Sequence, residues 1–138
     1  MITSLFNICI SILSYDIWFY ISHLILHTKY CWRYHKDHHK NTTSLKYTDA
    51  YVSHWVEIIF QGVGMFFPYL LLKYNFTEFI ITLTMVNIKG MLRHDHRCAW
   101  LIGNHHLLHH VYLHCNYGDY WIDYICNTLY VNKKIEEV

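Results

Sequence analysis

Three dense clusters of histidine repeat a common spacing along this chain. His23-Leu-Ile-Leu-His27 is an HxxxH, His35-Lys-Asp-His38-His39 an HxxHH, and His106-Leu-Leu-His109-His110 a second HxxHH preceded by His94, His96 and His105. On a helix, residues three and four apart share a face, so HxxxH presents two imidazoles side by side and HxxHH presents three. Imidazole suits iron, zinc, copper and nickel, whereas calcium and magnesium prefer oxygen ligands. The eight histidines of the three arrays exceed what one tetrahedral zinc ion takes, and two metal ions are the economical reading. An expression tag would be contiguous and terminal, while these clusters are internal and interrupted by apolar residues. His54 stands alone and reads as a hydrogen-bonded structural histidine.

Something must carry these arrays to one place. The chain has 138 residues, which predicts a single domain over residues 1–138. It is 54% hydrophobic and 18% aromatic with one proline, far from a disordered composition. A net charge of +1 and the lack of a basic strip interleaved with aromatics argue against a nucleic-acid partner. Five scattered cysteines without a CxxC read as free thiols, not a disulfide framework.

Residues Ile2 to Leu26 are almost entirely apolar and match the length of a bilayer-spanning helix. No basic segment precedes them, which speaks against a cleaved signal peptide. Within this stretch Asp16, Tyr20, His23 and His27 follow steps of four, three and four, so they form one helical stripe. Asp16 is expected to accept a hydrogen bond from a metal-bound imidazole. The following loop carries Lys29, Arg33, Lys36, Lys40 and Lys46, which places it on the cytoplasmic side. Two further apolar stretches, Trp55 to Leu72 and Phe76 to Leu92, predict a helical hairpin that dips into or crosses the bilayer. Such a hairpin returns the chain to its starting side, so all three histidine clusters meet at one membrane surface. The expected fold is all-α, an integral membrane protein with a histidine-rich metal site on the cytosolic face.

The ordered set formed by Asp16-Ile-Trp-Phe-Tyr20-Ile-Ser-His23-x-x-x-His27, His35-x-x-His38-His39 and His106-x-x-His109-His110 continues with Asn116-Tyr117-Gly118 and Trp121-Ile-Asp123. Together these resemble the fatty acid hydroxylase/sterol desaturase superfamily over roughly residues 13 to 130. The resemblance implies a membrane-bound di-iron oxygenase of the endoplasmic reticulum, with His23, His27, His35, His38, His39, His106, His109 and His110 as metal ligands. Members usually supply a further histidine upstream of the last box; His94 is preferred here, with His96 as runner-up. Asn116, Tyr117, Gly118 and Asp123 match the downstream signature, for which a structural or ligand-supporting role is expected. The implied cofactor is two iron ions, with zinc as a substitute in purified protein. The implied partners are a membrane lipid, dioxygen and a separate electron-donor protein, since the chain has no glycine-rich nucleotide loop. The implied reaction is hydroxylation or desaturation of a sterol, fatty acyl or sphingoid substrate. The alternatives are a non-catalytic membrane metal-binding protein, for which Glu57, Gln61 and Glu78 hint at an ion path, and a degenerate structural subunit of a larger oxygenase.

The chain departs from the family pattern in three places. Leu24 stands where arginine is common, and Cys126-Asn127-Thr128 replaces a frequent glycine. Members are also usually longer, with more helices before the Asp16 region, so the chain reads as a minimal or N-terminally truncated version.

Overall fold

A computed structural model describes residues 2–130, and every regular element among them is a helix or a 3-10 turn. Residue 1 and residues 131–138, included in the single-domain reading, lie outside the described residues.

The first helix, α1 (Ile2–Leu26), runs unbroken for 25 residues. It contains neither proline nor glycine to interrupt it. At 1.5 Å per residue it is about 37 Å long, enough to cross the ~30 Å hydrocarbon core of a bilayer. It is the one described helix long and apolar enough to do so. Its faces are inverted relative to a helix in water. Asn7, Ser11, Asp16, Ser22 and His23 are buried, while Leu5, Phe6, Leu13, Ile17, Ile21 and Ile25 are exposed. The inward polar groups have partners: Asn7 Nδ2 donates to Glu78 Oε2 at 3.0 Å, and Ser11 Oγ to the Asn7 carbonyl at 2.7 Å.

After α1 the chain turns through Thr28, whose N–H and hydroxyl both donate to the Ile25 carbonyl. It then forms α2 (Trp32–His35) and two 3-10 turns, His38–Lys40 and Tyr47–Tyr51. The expected hairpin follows with its first arm broken. α3 (Trp55–Gly62) passes through a 3-10 turn at Val63–Phe66 into α4 (Phe67–Leu71). Pro68 lies in the first turn of α4, where proline is tolerated. Gly64 lets Trp18 of α1 approach the break, since a Cβ there would lie 2.6 Å from Trp18 Cδ1. The Trp18 indole N–H donates to the Phe60 carbonyl at 2.8 Å. The return arm, α5 (Phe76–His94), opens on a capping box: Asn75 Oδ1 accepts from the Glu78 N–H at 3.0 Å, and Glu78 Oε2 from the Asn75 N–H at 3.1 Å.

Asp16 corrects one expectation, because it meets no imidazole. Both of its oxygens accept from Lys89 Nζ at 2.8 Å, and Lys89 and Arg93 also pair with Asp119. The reason is helical rise: Asp16 precedes His23 by seven residues, about 10 Å along α1. The four charges tie α1 to α5 and to the start of the final helix.

Beyond α5 the chain makes a 3-10 turn (His96–Cys98), α6 (Ala99–Ile102), α7 (His105–Tyr112) and α8 (Tyr120–Ile125). The α7–α8 segment folds over the end of α1, where Tyr20, Tyr117 and Ile122 form a small apolar core with Leu24 against it. Histidine makes up a large part of the interior: His23, His35, His38, His39, His94, His106, His109 and His110 are all buried.

Candidate metal centre

All nine sequence-predicted histidines converge, in two adjacent groups. His23, His27, His35, His39 and His109 form the first, and His38, His94, His106 and His110 the second. Within each group the candidate donor atoms lie within 4.8 Å of one another. The groups share a wall, with the His39 and His110 rings 4.5 Å apart between centroids.

The motifs do not map one to a group. In α7, His106 and His110 are one turn apart and face the second group, while His109, about 100° round the helix from His110, faces the first. The second box does not form the three-imidazole helical face that its spacing suggests. His35 closes α2 and His38 and His39 sit on a 3-10 turn, so His38 swings to the second group while His35 and His39 stay in the first.

Hydrogen bonds define which nitrogens are free. The Nδ1–H of His23 donates to the Tyr117 carbonyl at 2.5 Å, that of His35 to Glu57 Oε1 at 2.8 Å, and that of His109 to the Cys115 carbonyl at 2.6 Å. In the second group, His38 donates to the Val52 carbonyl at 3.2 Å and His94 to the Gly90 carbonyl at 2.7 Å. A neutral imidazole that donates from Nδ1 carries a bare lone pair on Nε2. Yet the Nε2 atoms of His23 and His35 lie 3.0 Å apart, and those of His38 and His94 also 3.0 Å. Lone pair facing lone pair is repulsive unless a cation lies between them.

The remaining atoms point the same way. The buried nitrogens His27 Nε2, His39 Nδ1, His106 Nδ1, His109 Nε2 and both of His110 have no partner. Each such orphan costs roughly 1–3 kcal/mol, which coordination through the Nε2 atoms of His27 and His109 and one nitrogen of His110 would offset. The donor set therefore fits metal ions. At metal–imidazole bonds of ~2.1 Å, ligands at right angles sit about 3.0 Å apart and tetrahedral ones about 3.4 Å. The Nε2 pairs at 2.9–3.0 Å match the right-angle case.

The downstream signature supports this arrangement from below. Asp123 is fully buried and accepts from the N–H groups of Tyr117 (2.9 Å) and Gly118 (2.8 Å), the Thr128 hydroxyl (2.6 Å) and His105 Nε2 (2.9 Å). It thereby fixes the loop whose Tyr117 carbonyl holds His23. Asn116 sits at φ 58° and clamps the same loop, its amide donating to the His105 carbonyl at 2.9 Å. Gly118 allows close packing, because a Cβ there would lie 3.0 Å from the Tyr20 ring, which would have to shift by a few tenths of an ångström. Asn127 takes a left-handed φ of 55°, which asparagine tolerates better than most residues. Replacing Asp123 by Ala strands two buried donors, the N–H groups of Tyr117 and Gly118, and is expected to destabilise the fold by roughly 2–5 kcal/mol. Denaturant unfolding in detergent measures this, and a change below about 1 kcal/mol would contradict the role given to Asp123.

Burial governs the protonation of the histidines outside α1. It pushes His27 down to about 3 and His38 and His109 down to about 4. It lowers His35, His39, His106 and His110 still further, with neighbouring imidazoles adding to the effect. All are neutral at pH 7, the form that binds metal. In the unfolded chain histidine protonates near pH 6.5. Between about pH 6.5 and about 4, unfolded chains take up protons that folded His38 and His109 refuse, so stability falls as pH falls. The metal-free protein is expected to lose unfolding midpoint steadily across that window, from a plateau above it. A flat midpoint would refute the buried neutral state.

Two cavities adjoin the centre. One of about 280 Å³ lies between α1, α3 and α5 and is walled by His23, His35, His38 and His94. The other, about 510 Å³, is lined by Met85, Ile88, Leu92, Ile102 and Trp121 and reaches His106. Lys89 and Arg93 line both.

Other histidines stay outside the two groups. His96 donates from Nδ1 to the Leu45 carbonyl at 2.7 Å, His105 pairs with Asp123, and His54 caps α3 by accepting the Val56 N–H at 3.2 Å. Sequence reasoning missed the Glu57 contact with His35 and all of the carbonyl acceptors. Backbone carbonyls leave no signal in residue type, and Glu57 is remote from the boxes.

Fold and site define a helical protein that gathers histidines from several helix ends into a paired cluster able to hold metal. The family model described as Fatty acid hydroxylase matches residues 8–128, which include all three boxes and the downstream signature, and the chain belongs to that family. No curated protein and no solved structure matches it.

Proposed function

We propose that this chain is a membrane-bound di-iron oxygenase that hydroxylates or desaturates a lipid, with dioxygen as oxidant and a separate protein as electron donor. The observation that carries the reading is the pair of adjacent imidazole groups, with bare nitrogens converging in each, in a member of this family. His23, His27, His35, His39 and His109 would hold one ion and His38, His94, His106 and His110 the other. Iron is favoured over structural zinc because the first group's five donors exceed a closed tetrahedral shell and the Nε2 pairs in both groups sit at right-angle spacing. When bound, such ions supply the reductive activation of dioxygen that attack on an unactivated C–H bond requires.

The protein's own side chains supply position and dryness. The Phe19 ring packs against His23 and His106, Trp32 stacks on His39, and Tyr117 closes over His27 and His109. These rings keep water from the reacting carbon. The apolar groove on α5 suits a lipid chain, and its His106 end brings that chain to the imidazoles. The exposed apolar face of α1 suits bilayer insertion, and the basic loop after it favours a cytosolic face, here assigned to the endoplasmic reticulum.

The test is expression in a host of defined sterol and sphingolipid content, with lipid mass spectrometry and metal analysis of the purified protein. About two irons per chain and an oxygen-dependent lipid product are expected. Exchangeable zinc without oxygen chemistry would establish a metal-binding protein instead, and absence of metal a degenerate subunit.

A further inference from the structure

We propose that Glu57 is a positioning residue for the first metal site, holding His35 so that its Nε2 faces the metal. The inference rests on the two-metal reading above. Glu57 lies on α3, outside every histidine box, and is buried. Its Oε1 accepts the His35 Nδ1–H at 2.8 Å, and its Oε2 has no partner at all.

Three observations separate this contact from ordinary packing. First, His35 is the hub of its group: its Nε2 lies 3.0 Å from that of His23 and 2.9 Å from that of His39. Turning this one ring would displace the point on which all three converge. Second, the other partnered Nδ1 atoms of the two groups, on His23, His38, His94 and His109, all donate to backbone carbonyls. His35 alone has a side-chain carboxyl acceptor, which, ionised beside a bound metal, would make the imidazole a stronger donor to that metal. Third, the bundle's other buried glutamate is used differently. Glu78 Oε2 accepts from both Asn7 and Asn75, a structural network that joins two helices. Glu57 Oε1 instead engages His35, and its Oε2 is left unpaired, so no comparable structural network accounts for its burial.

Glu57 itself is not placed as a ligand. It sits at the Nδ1 side of His35, while the converging nitrogens lie at the Nε2 side.

The experiment titrates the full-length protein in detergent with Fe(II), and separately with Co(II) as a visible-absorption probe. It compares the unaltered chain with Glu57→Gln, Glu57→Leu and Glu78→Gln. The unaltered chain should bind two ions. Glu57→Leu should keep one at full affinity and bind the other roughly 10–100-fold more weakly. Glu57→Gln retains an acceptor oxygen without the charge and should restore part of that loss, with the Co(II) bands of one ion shifted. Glu78→Gln should keep both affinities and spectra while lowering thermal stability.

Unchanged affinities in both Glu57 variants would overturn the proposal and leave the two-metal reading intact. So would a parallel weakening of both sites, because that is what a purely structural glutamate predicts. Failure of the unaltered chain to bind metal would instead overturn the two-metal reading, and the proposal with it.

Discussion

Replacing His109 by alanine is expected to abolish iron retention and lipid product together, while replacing His54 leaves both in place. His109 is fully buried on α7, with its Nδ1–H held by the Cys115 carbonyl at 2.6 Å and its Nε2 without any partner. That free nitrogen faces four other histidines of the first group. Its loss removes a proposed ligand outright, so the effect should exceed the roughly 10–100-fold that the loss of an outer hydrogen-bond partner costs. His54 offers a matched control. It caps α3 through the Val56 N–H and packs beside Tyr34, outside both groups. His54→Ala should cost about 0.5–2 kcal/mol of stability, as lost caps do, and no metal. Iron measured per chain and lipid product measured in the same preparations decide the matter. Equal metal loss in both variants would redraw the ligand set, and full activity in His109→Ala would end the oxygenase reading.

A similar contrast is expected between His94 and His96, which the sequence places two residues apart. His94 Nε2 lies 3.0 Å from the Nε2 atoms of both His38 and His106, so it is the hub of the second group as His35 is of the first. His94→Ala should empty the second site, halve the metal content from about two ions per chain to about one, and remove turnover, because di-metal chemistry needs both ions. His96 is turned the other way, bound to the Leu45 carbonyl and outside both groups. His96→Ala should retain both ions, with a stability change within the roughly 0.5–3 kcal/mol of most single substitutions. Metal stoichiometry by elemental analysis tests the pair. Retention of two ions in His94→Ala, or loss of one in His96→Ala, would reverse the assignment.

Much of this protein was legible in residue order alone. The repeated three- and four-residue spacing of histidine marked the centre because residues so spaced share a helical face and imidazole is a metal ligand. The apolar run from Ile2 to Leu26 marked α1 because apolar residues without proline or glycine sustain a helix of bilayer length. The downstream Asn116-Tyr117-Gly118 and Asp123 were recognisable by type, although their work was not. Only the tertiary structure divides the histidines five and four, since side chains leaving one motif on opposite sides of a helix or turn must be followed in space. Only it separates His94 from His96, which share a residue type and a neighbourhood but leave the end of α5 in different directions. It also moves Asp16 from the imidazoles to Lys89, because two helical turns part positions that share a stripe. The acceptors that aim the rings were beyond the sequence for a simpler reason. Tyr117, Cys115, Val52 and Gly90 contribute backbone carbonyls, which every residue possesses, and Glu57 reaches His35 across 22 positions of chain that only folding brings together.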